Sequence, residues 1–336
     1  MTAPGAGETP QLHDCRVAFS EELLALAQED ERVVVVCNDS VGSSQLGRFA
    51  AELPGRLVDV GIAEQDLVGV AAGLANGGML PVVCGAAPFL CARAFEQVKV
   101  DLVYSGRRVV VCAMSPGVAY GALGATHHAP EDLSLMRALP GLHLVVPADP
   151  AETRAALRWA VAQEGPSYVR IGRVRTPDLG ARGAPFELTR VLRDGDDVTL
   201  VAIGSMVWRA LQAADELAGR GVAARVLGVS VLEPLDLVPI RRAGEETAGI
   251  VTVEEAATSG GLGAAVAIDA ARHGPVQMRV LGFADRFAGI GSAEELYEDF
   301  GLTPSGIAGA ALELLASRCP AATTGVEPGS TGAVPG

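Results

Sequence analysis

Two patterns of apolar spacing alternate along this chain. Short, nearly unbroken apolar runs ("RVVVVCND", "RLVDV", "LPVVCG", "RRVVVCAM", "LHLVVPAD", "PSYVRIG") read as strands, with several helix-spaced segments between them. "RVVVVCND" predicts a strand covered on both faces, and the alternation of strands with helices argues for a parallel sheet. "CRVAFSEELLALAQEDE" and "DPAETRAALRWAVAQEG" repeat at helical spacing, the second starting at Asp149 or Pro150 and stopping at Gly165. From residue 173 to 197 the pattern lapses into "RVRTPDLGARGAPFELTRVLRDGDD", rich in Gly, Pro and charge, which predicts a connection between domains.

A second alternating unit follows: strand "VTLVAIGS", helix "MVWRALQAADELAGRG", strands "VAARVLGVS" and "GIVTVEE", helix "GLGAAVAIDAARHG", strand "PVQMRVLG", then two helices near 293–300 and 305–317. The fold expectation is therefore α/β, with two doubly wound sheets. We divide the chain into a flexible start (1–11), a first domain (12–176), a linker (177–196), a second domain (197–318) and a tail (319–336). The tail is low in apolar bulk and is expected to be disordered.

One residue breaks the pattern. In "VDVGIAEQDLVGVAAGLANGG" the apolar positions Leu67, Val68, Ala71, Leu74 and Ala75 mark one helix face, and counting back three and four residues puts Glu64 on it. A glutamate in a first helical turn has an ordinary use, favouring the helix dipole by ~0.3–1 kcal/mol. A buried carboxylate, however, costs several kcal/mol unless it is partnered or protonated, so the position also suits an acid that meets a ligand just past a strand end.

Composition narrows the choices. The 336 residues carry a net charge of −14 with no run of Lys or Arg, which disfavours nucleic acid as a partner. No apolar run approaches the ~18 residues of a membrane span, and no secretion signal is visible. Six cysteines (15, 37, 84, 91, 112, 319) form no C-x-x-C pair, which fits a reducing, cytoplasmic setting. There is no phosphate-cradling G-x-x-x-x-G-K-[ST] and no G-x-S-x-G elbow; "GGLGAAVA" lacks the last glycine of a dinucleotide loop. "THHAPED" gathers His127, His128, Glu131 and Asp132 but has no zinc spacing, so no metal ligands are assigned.

"VDVGIAEQDLVGVAAGLA", "APFLCARAFEQVKVDL", "GALGATHHAPEDLSLMRALPGLHLVVPAD" and "GPSYVRIGR", in this order, resemble the C-terminal half of transketolases and of deoxyxylulose-phosphate synthases. "VEEAATSGGLGAAVA" is similar to the domain that follows in that superfamily, and the resemblance spans roughly residues 12–318. It implies a pyrimidine-binding domain and a transketolase-type C-terminal domain, working with thiamine diphosphate. Glu64 would be the carboxyl that hydrogen-bonds the aminopyrimidine. Sharing a proton there makes the exocyclic nitrogen basic enough to deprotonate the thiazolium carbon, and burial would assist by raising the acid's pKa.

The resemblance places Phe89 beside the pyrimidine and Asp39 near the cofactor. It makes His127 a catalytic and substrate-side group, and puts Arg16, Ser43 and Arg173 around a sugar phosphate. Each has a plain alternative: a core phenylalanine, a turn acid, a surface histidine pair, exposed loop residues.

Two departures shape the expectation. The G-D-G followed by Asn that holds Mg²⁺ on the diphosphate is missing, "RDGDD" at 193–197 being the nearest string. The resemblance then implies one subunit of a split enzyme. Its partner would be an N-terminal subunit bearing G-D-G…N and most of the Mg²⁺ ligands, in an α2β2 heterotetramer acting on sugars or sugar phosphates. Second, Ala122 and Leu123 replace two acids of the family's G-E-D-G, and Ala86 stands where a second aromatic is common. A less polar or differently configured substrate is expected. The rivals are the β-subunit of a 2-oxo-acid dehydrogenase and a deoxyxylulose-phosphate-synthase-like enzyme.

Overall fold

The structure is a computed structural model that describes residues 10–180, 185–284 and 286–317. The expected tail (319–336) and most of the expected flexible start (1–11) lie outside those residues.

The first unit contributes β1 (Val33–Cys37), β2 (Leu57–Asp59), β3 (Leu80–Ala86), β4 (Val110–Met114), β5 (His143–Val145) and β6 (Ser167–Ile171). These pair in parallel in the order β5-β6-β4-β3-β1-β2. The apolar runs are continuous because helices cover both faces. Val33, Val35 and Cys37 of β1 pack with Phe19 and Leu23 of helix Cys15–Glu29 and Leu157 of helix Pro150–Ala162. Val36, between them, faces Leu67 and Val68 of helix Glu64–Asn76.

The second unit holds β7 (Thr189–Arg193), β8 (Val198–Ile203), β9 (Ala224–Val229), β11 (Ile250–Ala257) and β12 (Met278–Phe283), in the order β12-β11-β8-β9-β7. Both sheets depart from a wholly parallel expectation at one edge. β7 runs antiparallel to β9, so the stretch read as linker carries a strand. β10 (Val231–Glu233) leaves the second unit and pairs antiparallel with β5, extending the first sheet to seven strands. One apolar cluster accordingly runs through both units, from Leu67 and Leu90 to Leu227 and Leu262. The five described cysteines are all buried and free. Among the described residues, no helix is long and apolar enough to cross a membrane.

Candidate functional site

The carboxyl ends of the parallel strands of the first sheet open onto one face, where ligands of doubly wound sheets collect. Asn38 and Asp39 follow β1, Glu64 follows β2, Phe89 follows β3, a loop carrying His127 follows β4, and Arg173 follows β6.

Glu64 is the first residue of its helix and is 2% exposed, as the apolar spacing predicts. One carboxylate oxygen accepts from Asn38 Nδ2 at 2.9 Å, the other from Arg93 Nη1 at 2.7 Å. Burial pushes its pKa up, as expected from sequence. That effect is outweighed by the Arg93 hydrogen bond, the helix's own N–H, the Arg93 charge and Asn38, which together hold the acid below the ordinary glutamate value. The expectation of a raised pKa is therefore corrected by a cation that the sequence reading did not place there.

Arg93 links the acid to the rest of the site. Its guanidinium lies 4.6 Å from the centroid of the Phe89 ring. Phe89, only partly buried, meets His127 edge-on at 5.3 Å between ring centroids. His127 meets Tyr120 at 6.0 Å, and its Nδ1 is 2.9 Å from Thr126 Oγ1. Arg173 stacks over Tyr120 at 5.1 Å, and its charge acts on Asp14. Asp14 is in turn salt-bridged to Arg16 at 2.6 Å, and Arg16 Nη1 donates to the Ser43 carbonyl at 3.2 Å. Six of the seven sequence-predicted residues thus fall on one connected arc from Glu64 to Ser43. Asp39 is exposed beside Asn38, with its backbone at φ 56° and its N–H held by Asp59.

The group expected around a sugar phosphate is arranged differently in detail from that expectation. Ser43 reaches Arg16 through its carbonyl, and its hydroxyl donates to Ser40 O at 3.2 Å. Asp14 sits directly on Arg16. Burial raises the Asp14 pKa, but the Arg16 hydrogen bonds and charge together with Arg173 hold it below the usual carboxylate range. Any anion placed beside Arg16 would meet that carboxylate.

Ala122 and Leu123 are both exposed in the short turn Gly121–Leu123, so the two positions that lack the family's acids present apolar surface. Sequence reasoning missed Asn38, Arg93, Asp14 and Tyr120. Arg93 carried a usable signal, since it stands four residues after Phe89 in a helical segment, the spacing at which side chains stack.

The donor set suits an aminopyrimidine. Glu64 offers a carboxylate, Phe89 an aromatic edge and face, and Asn38 Oδ1 is buried with no hydrogen-bond partner among the described residues. No cluster of His, Cys, Asp or Glu among the described residues is arranged to hold a metal ion.

Comparison with known proteins bears on most of the chain. Residues 13–177 match the family "Transketolase, pyrimidine binding domain" and residues 188–307 match "Transketolase, C-terminal domain". An apulose-4-phosphate transketolase subunit of Phocaeicola vulgatus is 44% identical over 305 residues, covering 90% of this chain and 97% of that one. A 6-deoxy-6-sulfo-D-fructose transketolase subunit of Clostridium sp. strain MSTE9 is 38% identical, covering 90% and 94%. A solved structure described as a split gene transketolase, inactive beta4 tetramer, superposes with a TM-score of 0.82 at 38% identity, covering 90% of this chain and 98% of that one.

Proposed function

We propose that this chain, which belongs to the transketolase family, is the C-terminal subunit of a split, thiamine-diphosphate-dependent transketolase moving a two-carbon ketol unit from a ketose or ketose phosphate to an aldehyde. The observation that carries this reading is the arc from Glu64 through Arg93, Phe89, His127, Tyr120 and Arg173 to Arg16, set along the carboxyl ends of one parallel sheet. The subunit relatives, matched over nearly their whole length, support the split arrangement. An N-terminal partner with G-D-G…N would supply the diphosphate site and Mg²⁺ ligands, in an assembly with two copies of each chain. A cytoplasmic location belongs to the same proposal.

When bound, thiamine diphosphate supplies the nucleophilic carbon that cleaves a ketose beside its carbonyl. Glu64 holds or shares a proton at the pyrimidine nitrogen, and Arg93 leaves the carboxylate oxygen it now occupies. Phe89 packs against the pyrimidine, and Asp39 stands at the edge of the same pocket. His127 donates to, or takes protons from, the sugar hydroxyls, with Thr126 fixing its Nδ1 side. Arg16, Arg173 and the Ser43 region receive a phosphate or other anionic end. Leu123 and Ala122 offer no acceptor to sugar hydroxyls, which favours donors that are less polar or differently configured near that turn.

Calorimetric titration of thiamine diphosphate with Mg²⁺ into the chain alone, then into its mixture with a G-D-G…N partner, tests the proposal. Binding only in the mixture, with ketol transfer cut by about 10²–10⁴ in Glu64→Gln while assembly persists, is expected. Tight binding to the lone chain, or unchanged turnover in Glu64→Gln, overturns it.

A further inference from the structure

The loop that carries Tyr120, Leu123 and His127 belongs to the first unit, yet the second unit holds it. It leaves β4 through two residues in the left-handed region, Ser115 at φ 56° and Gly117 at φ 61°, and turns again at Gly124 at φ 72°. Its neck is closed by Ala129 N–H donating to Gly117 O at 2.7 Å. Beyond the neck the backbone leans on the second unit at successive points. Val118 N–H donates to Glu255 Oε1 at 3.0 Å. A methyl group on Gly117 would lie 2.3 Å from that oxygen, so glycine is needed for the approach. Gly121 is pressed against the backbone of Gly291 and Ser292, where a Cβ would come within 2.3 Å of Gly291 O. Gly124 packs on the Ile290 side chain.

Glu255 is itself held from both sides. Its Oε2 accepts from Ser205 Oγ at 2.7 Å, at the start of helix Met206–Ala218. Its own carbonyl accepts from Arg170 Nη2 at 3.0 Å, and Arg170 is ion-paired to Asp132 just past the loop. Ala257 N–H donates to Pro130 O at 2.6 Å, tying down the chain that follows His128. A carboxylate so fixed, accepting a backbone N–H from the loop, sets where the loop's side chains stand.

We infer that Glu255 of the C-terminal unit is a positioning residue for the substrate face, acting through Val118 to hold the Tyr120–His127 loop in register with Phe89 and Glu64. The inference rests on the site proposed above for its functional meaning, and on the loop contacts alone for its structural part. The C-terminal domain is then a working part of the substrate site without contributing a side chain to it.

The test uses the full chain labelled with ¹⁵N- and ¹³C-histidine, the His127 signals being identified by their loss in His127→Asn. Glu255→Ala is expected to shift or split those signals, while Glu255→Gln, which keeps an oxygen for Val118 N–H, returns them close to the wild-type positions. In the assembly with the partner chain, with hydroxypyruvate and fructose 6-phosphate as donor probes, Glu255→Ala is expected to lower kcat tenfold or more. The Kd for thiamine diphosphate should stay within twofold, and Glu255→Gln should recover most of the rate. If Glu255→Ala does not fold, Ser205→Ala removes one donor from the same carboxylate and is read in the same way. His127 signals and kcat both unchanged in these variants would overturn the inference. A His127 shift together with a wild-type assembly that transfers no ketol unit would instead remove the proposed function and leave the loop's dependence on Glu255 standing.

Discussion

Two of the ion pairs that bury a carboxylate among the described residues differ in the freedom of the arginine. Asp132 is fully buried, and its partner Arg170 is 4% exposed, with bonds of 2.9 and 2.8 Å and a third contact from Tyr168 OH at 3.0 Å. Glu64 is almost as buried, but its partner Arg93 is 50% exposed and rests on one face of Phe89. The first pair lies in the first unit and is locked against the second by the Arg170 bond to the Glu255 carbonyl; the second has a cation that can move into solvent without leaving a buried charge of its own. Burial of an acid therefore does not by itself distinguish a structural pair from a site acid. Between these two pairs, the exposure of the counter-ion marks the difference.

The largest effect expected from this contrast is at the locked pair. Asp132→Ala strands the Arg170 guanidinium in the seam and should cost about 3–5 kcal/mol in a urea melt. A loss under about 1 kcal/mol would break the comparison, because it would show that Arg170 finds water as readily as Arg93.

Next comes Glu254, a buried acid that accepts hydrogen bonds from the Leu262 and Gly263 N–H groups. Burial dominates, and the pKa is pushed up to about 7. The folded state then holds a proton that the unfolded chain releases near the ordinary glutamate value of roughly 4.3. Stability from this group is fully present below that lower value and is lost as pH rises to about 7. Glu254→Gln should flatten that stretch of the pH–stability curve; an unchanged slope would count against the assignment.

The smallest effect on stability belongs to Arg93→Ala, because Asn38 and the helix N–H still hold the Glu64 carboxylate, which can also take up a proton. Its informative consequence is electrostatic. Glu64 is held below its usual range, so its contribution to stability is present above the unfolded pKa and is lost as pH falls through the folded one. Removing Arg93 should raise the Glu64 titration point, followed through its ¹³C carboxyl signal, and weaken that acid-side loss.

Much of this architecture was legible from apolar spacing, for a physical reason. Strands β1, β3, β4, β6, β8 and β11 lie inside their sheets, so unbroken apolar runs announce them. β7 and β10 are edge strands of five and three residues, and "TRVLR" looks like linker because one side is left to polar groups. The candidate site divides in the same way. The buried position of Glu64 follows from helical spacing, whereas Asn38 and Arg93 reach it from 26 and 29 residues away. The Asp14 carboxylate on Arg16 was likewise hidden, although Asp14 is a recognisable helix cap whose side chain accepts from Arg16 N–H.

The pairing of β10 with β5 also has a temporal side. Val145 must wait for Val231 before its sheet edge is covered. At about 5–20 residues per second, a ribosome takes several seconds to deliver that partner strand. During this interval the nascent first unit displays an unpaired parallel edge, the kind of surface that invites pairing with a neighbouring chain. The same strand that joins the two units in the finished molecule thus makes synthesis of the second unit the step that closes the first.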